Sequence, residues 1–110
     1  MLSIVFSTRS AAAQHRIVFV VSSDDLDWCR RNIVTARRNV AFVSTRSALV
    51  DLAVLAQCSH TIMTVGTFGW WAAWLANGTT VYMRDWPTPH SFLFYNTNHD
   101  DYFPPHWIGL

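Results

Sequence analysis

Apolar positions along the chain fall into short runs of strand length, separated by stretches with helical spacing. Arg16-Ile17-Val18-Phe19-Val20-Val21 is rich in β-branched residues and apolar on both faces, the pattern of a central strand in a parallel sheet. Ser22-Ser23-Asp24-Asp25 then offer turn and helix-cap residues, and Leu26, Cys29, Arg30 and Ile33 recur at helical spacing. Val40-Ala41-Phe42-Val43 reads as a second strand, followed by a polar loop over Ser44–Ser47. Leu49, Leu52, Ala53 and Ala56 predict a second helix with Asp51 in its first turn. His60–Met63 is a third strand, Thr67–Ala76 a third helix ending at Asn77-Gly78, and Thr79–Tyr82 a fourth strand. The order βαβαβαβ predicts an α/β fold with a parallel, Rossmann-like sheet.

The two ends of the chain do not share this pattern. Met1–Gln14 passes from apolar residues through Ser7-Thr8-Arg9-Ser10 to three alanines, which fits the end of a helix or a frayed lead-in equally well. Beyond Tyr82, Pro87, Pro89, Pro104 and Pro105 break any long helix. The expected organisation is a lead-in over 1–15, a Rossmann-like part over 16–83, and an irregular aromatic tail over 84–110. That tail is expected to pack Trp86, Phe92, Phe94, Tyr102, Phe103 and Trp107 across the sheet or its edge.

Composition narrows the function classes. The chain has 110 residues, enough for one domain at most, and 51% of them are apolar. Only 14% are charged, all of them Arg or Asp, and the formal net charge is +1. That balance gives no reason to expect nucleic acid or an anionic membrane surface as partner. Apolar runs such as Ile17–Val21 and Trp70–Ala76 are far too short to span a bilayer. Arg9 and Arg16 interrupt the apolar start, so no secretory signal is expected at Met1. Cys29 and Cys58 are too few for a disulfide scaffold; buried free thiols suit their helical patterns, and one bridge suits an oxidising lumen.

Candidate chemistry gathers where ligands of open α/β sheets bind, beyond the carboxyl ends of the strands. Ser22, Ser23 and Asp24 follow the first strand, Ser44–Ser47 the second, and Thr64–Gly69 the third. In the last of these, Gly66 and Gly69 let the backbone turn sharply and approach a ligand, and Thr67 is expected to cap the helix. Free N–H groups at a helix N-terminus form a phosphate site. The glycine spacing matches neither the dinucleotide fingerprint nor a P-loop, so physics alone leaves a turn that binds nothing as the plainer reading. Helix capping explains Ser-Ser-Asp-Asp equally well, and a helix dipole explains Asp51. His60 reads as a satisfied core residue, and no His, Cys or Asp set has metal-ligand spacing. No Gly-x-Ser-x-Gly elbow is present, and no catalytic nucleophile or base stands out. Asn77-Gly78-Thr79 is a glycosylation sequon in a helix-to-strand turn.

Taken together, three blocks resemble the α-1,2-fucosyltransferases, the enzymes that build H-type blood-group antigens. They are Phe19–Ile33, around Ser22-Ser23-Asp24-Asp25; Leu52–Ala73, around His60-Thr61-Ile62-Met63-Thr64-Val65-Gly66-Thr67-Phe68-Gly69; and the closing Tyr102–Leu110. The resemblance implies a two-Rossmann, GT-B-like fold of which this chain is the C-terminal, donor-binding half. It implies GDP-fucose as donor, a terminal β-galactoside as acceptor, inversion at the fucose carbon, and no cofactor or metal. Family members in animals are type II membrane proteins of the Golgi with lumenal catalytic domains. Carried over, Gly66, Thr67, Phe68 and Gly69 would hold the GDP pyrophosphate, and Asp51 would take the guanine N–H groups. Ser22, Ser23 and Asp24 would line the same rim.

The family also carries a His-x-Arg-x-Gly-Asp segment whose Arg contacts the donor phosphates, and this segment is absent here. By analogy it belongs to the central strand, between those beginning at Arg16 and His60, so the sheet is expected to be incomplete. The chain is therefore expected to be a C-terminal piece of a donor-binding domain, without the family's anchor and N-terminal domain. A non-catalytic remnant, or a nucleotide-binding α/β module without activity, is the alternative.

Overall fold

The computed structural model describes residues 5–11, 16–33 and 39–110, with backbone alone over 5–11 and at 16. Strand β1 spans Val5–Ala11 and β2 Arg16–Ser22; helix α1, Leu26–Asn32, leads to β3, Val40–Phe42. Helix α2, Ala48–Ala56, precedes β4, His60–Met63, and α3, Thr67–Ala76, precedes β5, Thr80–Tyr82. Two short helices, α4 (Phe92–Asn96) and α5 (His99–Tyr102), and strand β6 (Ile108–Gly109) complete the chain.

The six strands of the described residues form one sheet in the order β3-β2-β1-β4-β5-β6. The pairs β2–β3, β4–β5 and β5–β6 are parallel, as expected of an α/β fold. The centre differs from the expectation of an incomplete sheet. There β1 fills the gap between β2 and β4, antiparallel to both, with Val5 level with Ser22 and with Met63. Unpaired backbone groups on two interior strands are costly, and the segment next to β2 in sequence reaches them with the least loop-closure entropy. Val5, Phe6 and Thr8 suit that extended role. The remainder of the expected lead-in, 1–4 and 12–15, lies outside the described residues.

Helices cover the sheet on both faces near the carboxyl ends of the strands. Val21 and Cys29, both fully buried, meet Ile33, Val40 and Phe42 beneath α1. On the opposite face Val20 packs with Leu52, Leu55, Phe68 and Ala72 beneath α2 and α3. Small side chains allow this closeness: α3 buries Gly69, Ala72 and Ala73 and leaves Trp71 and Trp74 half exposed. Strand β4 alternates as a half-covered strand should, with Thr61 and Met63 buried and His60 and Ile62 exposed.

The tail is more regular than its prolines suggest. Ser91 and Asn98 cap α4 and α5, and β6 adds an edge strand with Ile108 opposite Val81. Phe103 and Trp107 are buried with Met63 and Ala73, and Trp86 and Tyr102 pack against them. Phe92 and Phe94 instead lie on α4 and stay exposed, contrary to the packing expected for them. Phe92, Leu93, Phe94 and Tyr95 are consecutive in little more than one helical turn and point to all sides of it, so they cannot all face the core. Cys29 and Cys58 are free buried thiols.

Candidate functional site

The direction of the strands defines the site. Because β2 and β4 are each antiparallel to β1, they run parallel to one another, and β3 and β5 follow them. The carboxyl ends of β2, β3, β4 and β5 therefore share one rim. Between β2 and β4 that rim is met by the start of β1 and by no loop leaving a strand.

At the β2–β3 end of the rim lies a cavity of about 340 Å³. Ser22, Ser23, Asp24, Asp51 and Phe68 line it, so five of the residues singled out from sequence meet although they come from three separate strand–helix junctions. The Ser-Ser-Asp-Asp run divides its work. Ser22 is buried at the strand end, and Ser23 Oγ accepts the Asp25 N–H at 3.0 Å. Asp25 caps α1 by accepting the Trp28 N–H at 2.9 Å, which leaves Asp24 as the run's acidic residue at the cavity.

Asp51 sits in the first turn of α2, where a carboxylate is favoured by the helix dipole. Its Oδ1 accepts both the Thr45 N–H, at 3.1 Å, and the Thr45 hydroxyl, at 2.6 Å. Two bonds on one oxygen fix the carboxylate and fold the loop over Thr45–Ser47 around it. Neither uses Oδ2. Ser47 caps the same helix, with the Val50 N–H donating to its Oγ at 3.4 Å.

Arg46 also lines this cavity and was not singled out from sequence. It is exposed, adopts φ 63°, and forms no ion pair among the described residues. The available signal was modest: one cation inside a polar rim loop, two residues from its flanking hydroxyls at Ser44 and Ser47 or nearer. Its guanidinium adds five donors to a lining that also holds Asp24 and Asp51.

The glycine turn differs in detail from expectation. Gly66, not Thr67, is the N-cap of α3; its φ of 97° is open to glycine and strained for other residues. Thr67 is the first helical residue, and among the described residues no side chain caps the helix. The first-turn N–H groups of α3 thus lack a capping acceptor. Gly66 and Gly69 are buried and stand outside the cavity lining, Gly69 within the packed face of α3. Thr67 instead lines an adjoining hollow of about 230 Å³ with Trp70, Trp71, Asp101 and Tyr102. There the Trp70 indole N–H donates to the Tyr102 carbonyl at 2.8 Å, and burial raises the Tyr102 pKa above that of a free phenol.

The remaining candidates are structural or peripheral. His60 Nδ1 accepts the Thr79 N–H at 3.2 Å, tying β4 to the turn before β5. Asn77 is the left-handed C-cap of α3, with φ 53°, and is exposed. Among the described residues no three His, Cys, Asp or Glu side chains are grouped to hold a metal ion, and no helix is long and apolar enough to cross a membrane.

Residues 8–110 match the model of glycosyl transferase family 11. The chain is 44% identical over 102 residues to galactoside 2-alpha-L-fucosyltransferase SEC1 of Bos taurus, covering 90% of this chain and 28% of that protein. It is 46% identical over 96 residues to galactoside alpha-(1,2)-fucosyltransferase 1 of Sus scrofa, covering 84% of this chain and 26% of the relative. The corresponding protein of Alouatta belzebul is 45% identical over the same length. The chain thus spans about a quarter of the length of the curated relatives it matches. No solved structure matches.

Proposed function

Because the chain belongs to glycosyl transferase family 11, we propose that it forms the donor-binding part of a galactoside α-1,2-fucosyltransferase. The observation that carries this reading is the rim cavity in which Ser22, Ser23, Asp24, Asp51 and Phe68 converge beside the uncapped start of α3. GDP-fucose is the donor. With Oδ1 held by Thr45, Asp51 Oδ2 is left to accept from the N1–H and 2-amino edge of guanine, which adenine does not offer. Phe68 gives the nucleoside an apolar wall. The diphosphate lies toward the N-terminus of α3, where free N–H groups, the helix dipole and the Arg46 guanidinium meet its charge.

In transfer, the 2-hydroxyl of a terminal β-galactoside attacks the fucose anomeric carbon from the face opposite the diphosphate. The new C–O bond forms as the bond to GDP breaks, so configuration inverts, and a general base takes the hydroxyl proton. Positive charge at the departing diphosphate stabilises the transition state more than the bound donor, which is the condition for catalysis. Arg46 and the N-terminus of α3 supply that charge. We place the parent enzyme on the lumenal side of the Golgi membrane.

Donor binding without transfer is the second reading, and the centre of the sheet favours it for this chain alone. An antiparallel β1 brings no strand-following loop to the rim between β2 and β4, where a further phosphate ligand would stand. Two measurements on the 110-residue chain separate the readings: GDP binding by calorimetry, and transfer from radiolabelled GDP-fucose to methyl β-galactoside. Binding without turnover is expected of the chain alone. Turnover comparable to a full-length relative contradicts the second reading, and absence of GDP binding contradicts both.

A further inference from the structure

A second, larger hollow lies on the same rim, directly beyond the carboxyl end of β5. It measures about 620 Å³ and is lined by Arg84, Asp85, Trp86, Pro87, Phe94 and His99, among others. In sheet order β5 is three strands from β2, a separation of about 14 Å at the usual spacing of neighbouring strands. The hollow beside Thr67 and Tyr102 lies at the start of α3, the helix that leaves β4, and β4 is the strand next to β5. A base, a ribose, two phosphates and a pyranose laid along the rim from Asp51 lead toward Arg84.

The lining suits a neutral sugar. A pyranose presents apolar C–H faces and a girdle of hydroxyls that each donate and accept. Trp86 supplies a flat apolar surface, and it is held by packing against Tyr102 and Phe103, with ring centroids 5.2 and 6.5 Å away. Phe94 and Pro87 add apolar walls. Asp85 accepts and Arg84 donates, and their opposite charges leave the hollow without net attraction for an anion. His99 Nε2 lies 3.1 Å from the Arg84 carbonyl oxygen, which can only accept, so Nε2 carries the proton. With Nε2 so used, Nδ1 is the ring's remaining polar atom. A cavity of this size holds a small ligand with a few fixed polar contacts.

We propose that this hollow binds the terminal neutral sugar of the acceptor glycan, with Trp86 as its platform and Arg84, Asp85 and His99 ordering its hydroxyls. The assignment rests on the donor reading of the other end of the rim, since it is the spacing from that cavity that makes this one the acceptor side. Tyr102, whose pKa burial raises above that of a free phenol, lines the hollow beside Thr67.

The test uses the 110-residue chain, with methyl β-galactoside followed by saturation-transfer NMR and GDP followed separately by calorimetry. The wild-type chain is expected to bind the galactoside. Asp85→Asn and Phe94→Ala, both at exposed positions, are expected to weaken it about tenfold each while leaving GDP affinity unchanged. Trp86→Ala is expected to abolish it, with circular dichroism reporting whether the fold survives. Absent saturation transfer, or unchanged galactoside affinity in both exposed-site variants, overturns the acceptor assignment and leaves the donor reading standing if GDP still binds. Galactoside binding without GDP binding supports a sugar site and removes the donor reading on which the word acceptor depends.

Discussion

The two ends of the sheet are held by different chemistry. At the β2–β3 end the packing is aliphatic and small, with Val21 of β2 and Cys29, Leu55 and Ala72 of the three helices fully buried between helix and sheet. At the β5–β6 end it is aromatic. Tyr82 stacks on Phe103 with centroids 3.8 Å apart and planes at 13°, and Trp70 meets Trp107 at 5.5 Å. The first arrangement leaves the strand ends free to carry hydroxyls and carboxylates at a small polar cavity. The second builds a broad hollow with rigid ring walls. Polar recognition of a nucleotide and surface recognition of a sugar ask for these two kinds of support.

The largest expected effect tests whether the aromatic end is a separate unit of stability. Phe103→Ala should cost about 3–5 kcal/mol, as for other large aromatic truncations. Hydrogen exchange should show the loss concentrated in the β5–β6 amides, including Leu110 N–H to Tyr82 C=O. Leu55→Ala, at the aliphatic end, should spare those amides. Uniform loss of protection in both variants would mean the two ends form one cooperative unit.

Gly78→Ala is next. A Cβ at this position would run into the Ser59 carbonyl, backbone that cannot swing aside. A cost of about 2–3 kcal/mol in denaturant unfolding is expected, because the α3–β5 turn lies against the entry to β4. A neutral result would show that this turn shifts freely, and that His60 and Thr79 do not fix the start of the aromatic end.

How much of this was legible in the sequence follows from the same contrast. Strands β2 and β4 and helix α3 carry their own periodicity, and local spacing was enough to place them. Asp51 was legible as a first-turn acid. Strand β1 was not, because Ser7-Thr8-Arg9-Ser10 has no apolar alternation and gains its conformation from two neighbours, one of them more than fifty residues away. Strand β6 has two residues and exists only through β5. Thr67 looked like a cap by residue type, whereas the backbone needed a positive φ that Gly66 supplies. Arg46 was hidden among loop hydroxyls because its place at the cavity depends on a fold of the loop set by Asp51 and Thr45.

Two smaller effects sharpen the picture of the polar end. Asp25→Ala should cost about 1 kcal/mol through the lost α1 cap, with GDP affinity little changed, since Asp25 serves the helix and Asp24 the cavity. A large drop in GDP affinity would instead place both acids at the ligand. Arg46→Gly should stabilise the fold by about 0.5 kcal/mol, the relief of a left-handed backbone less the greater entropy of an unfolded glycine. The same change should weaken GDP about tenfold through loss of a charge-assisted contact. Gain of stability without loss of affinity would remove Arg46 from the phosphate site.

The central claim is that the polar end of the rim selects a guanine nucleotide through Asp51. Calorimetric titration of GDP and of ADP into the 110-residue chain and its Asp51→Asn variant tests it most directly. GDP is expected to bind the wild-type chain at least tenfold more tightly than ADP, since charge-assisted hydrogen bonds contribute about 1.5–3 kcal/mol. The preference should vanish in Asp51→Asn, where an amide donor faces the guanine donors. Equal affinity for the two nucleotides in the wild-type chain, or an undiminished preference for GDP in the variant, would contradict the claim.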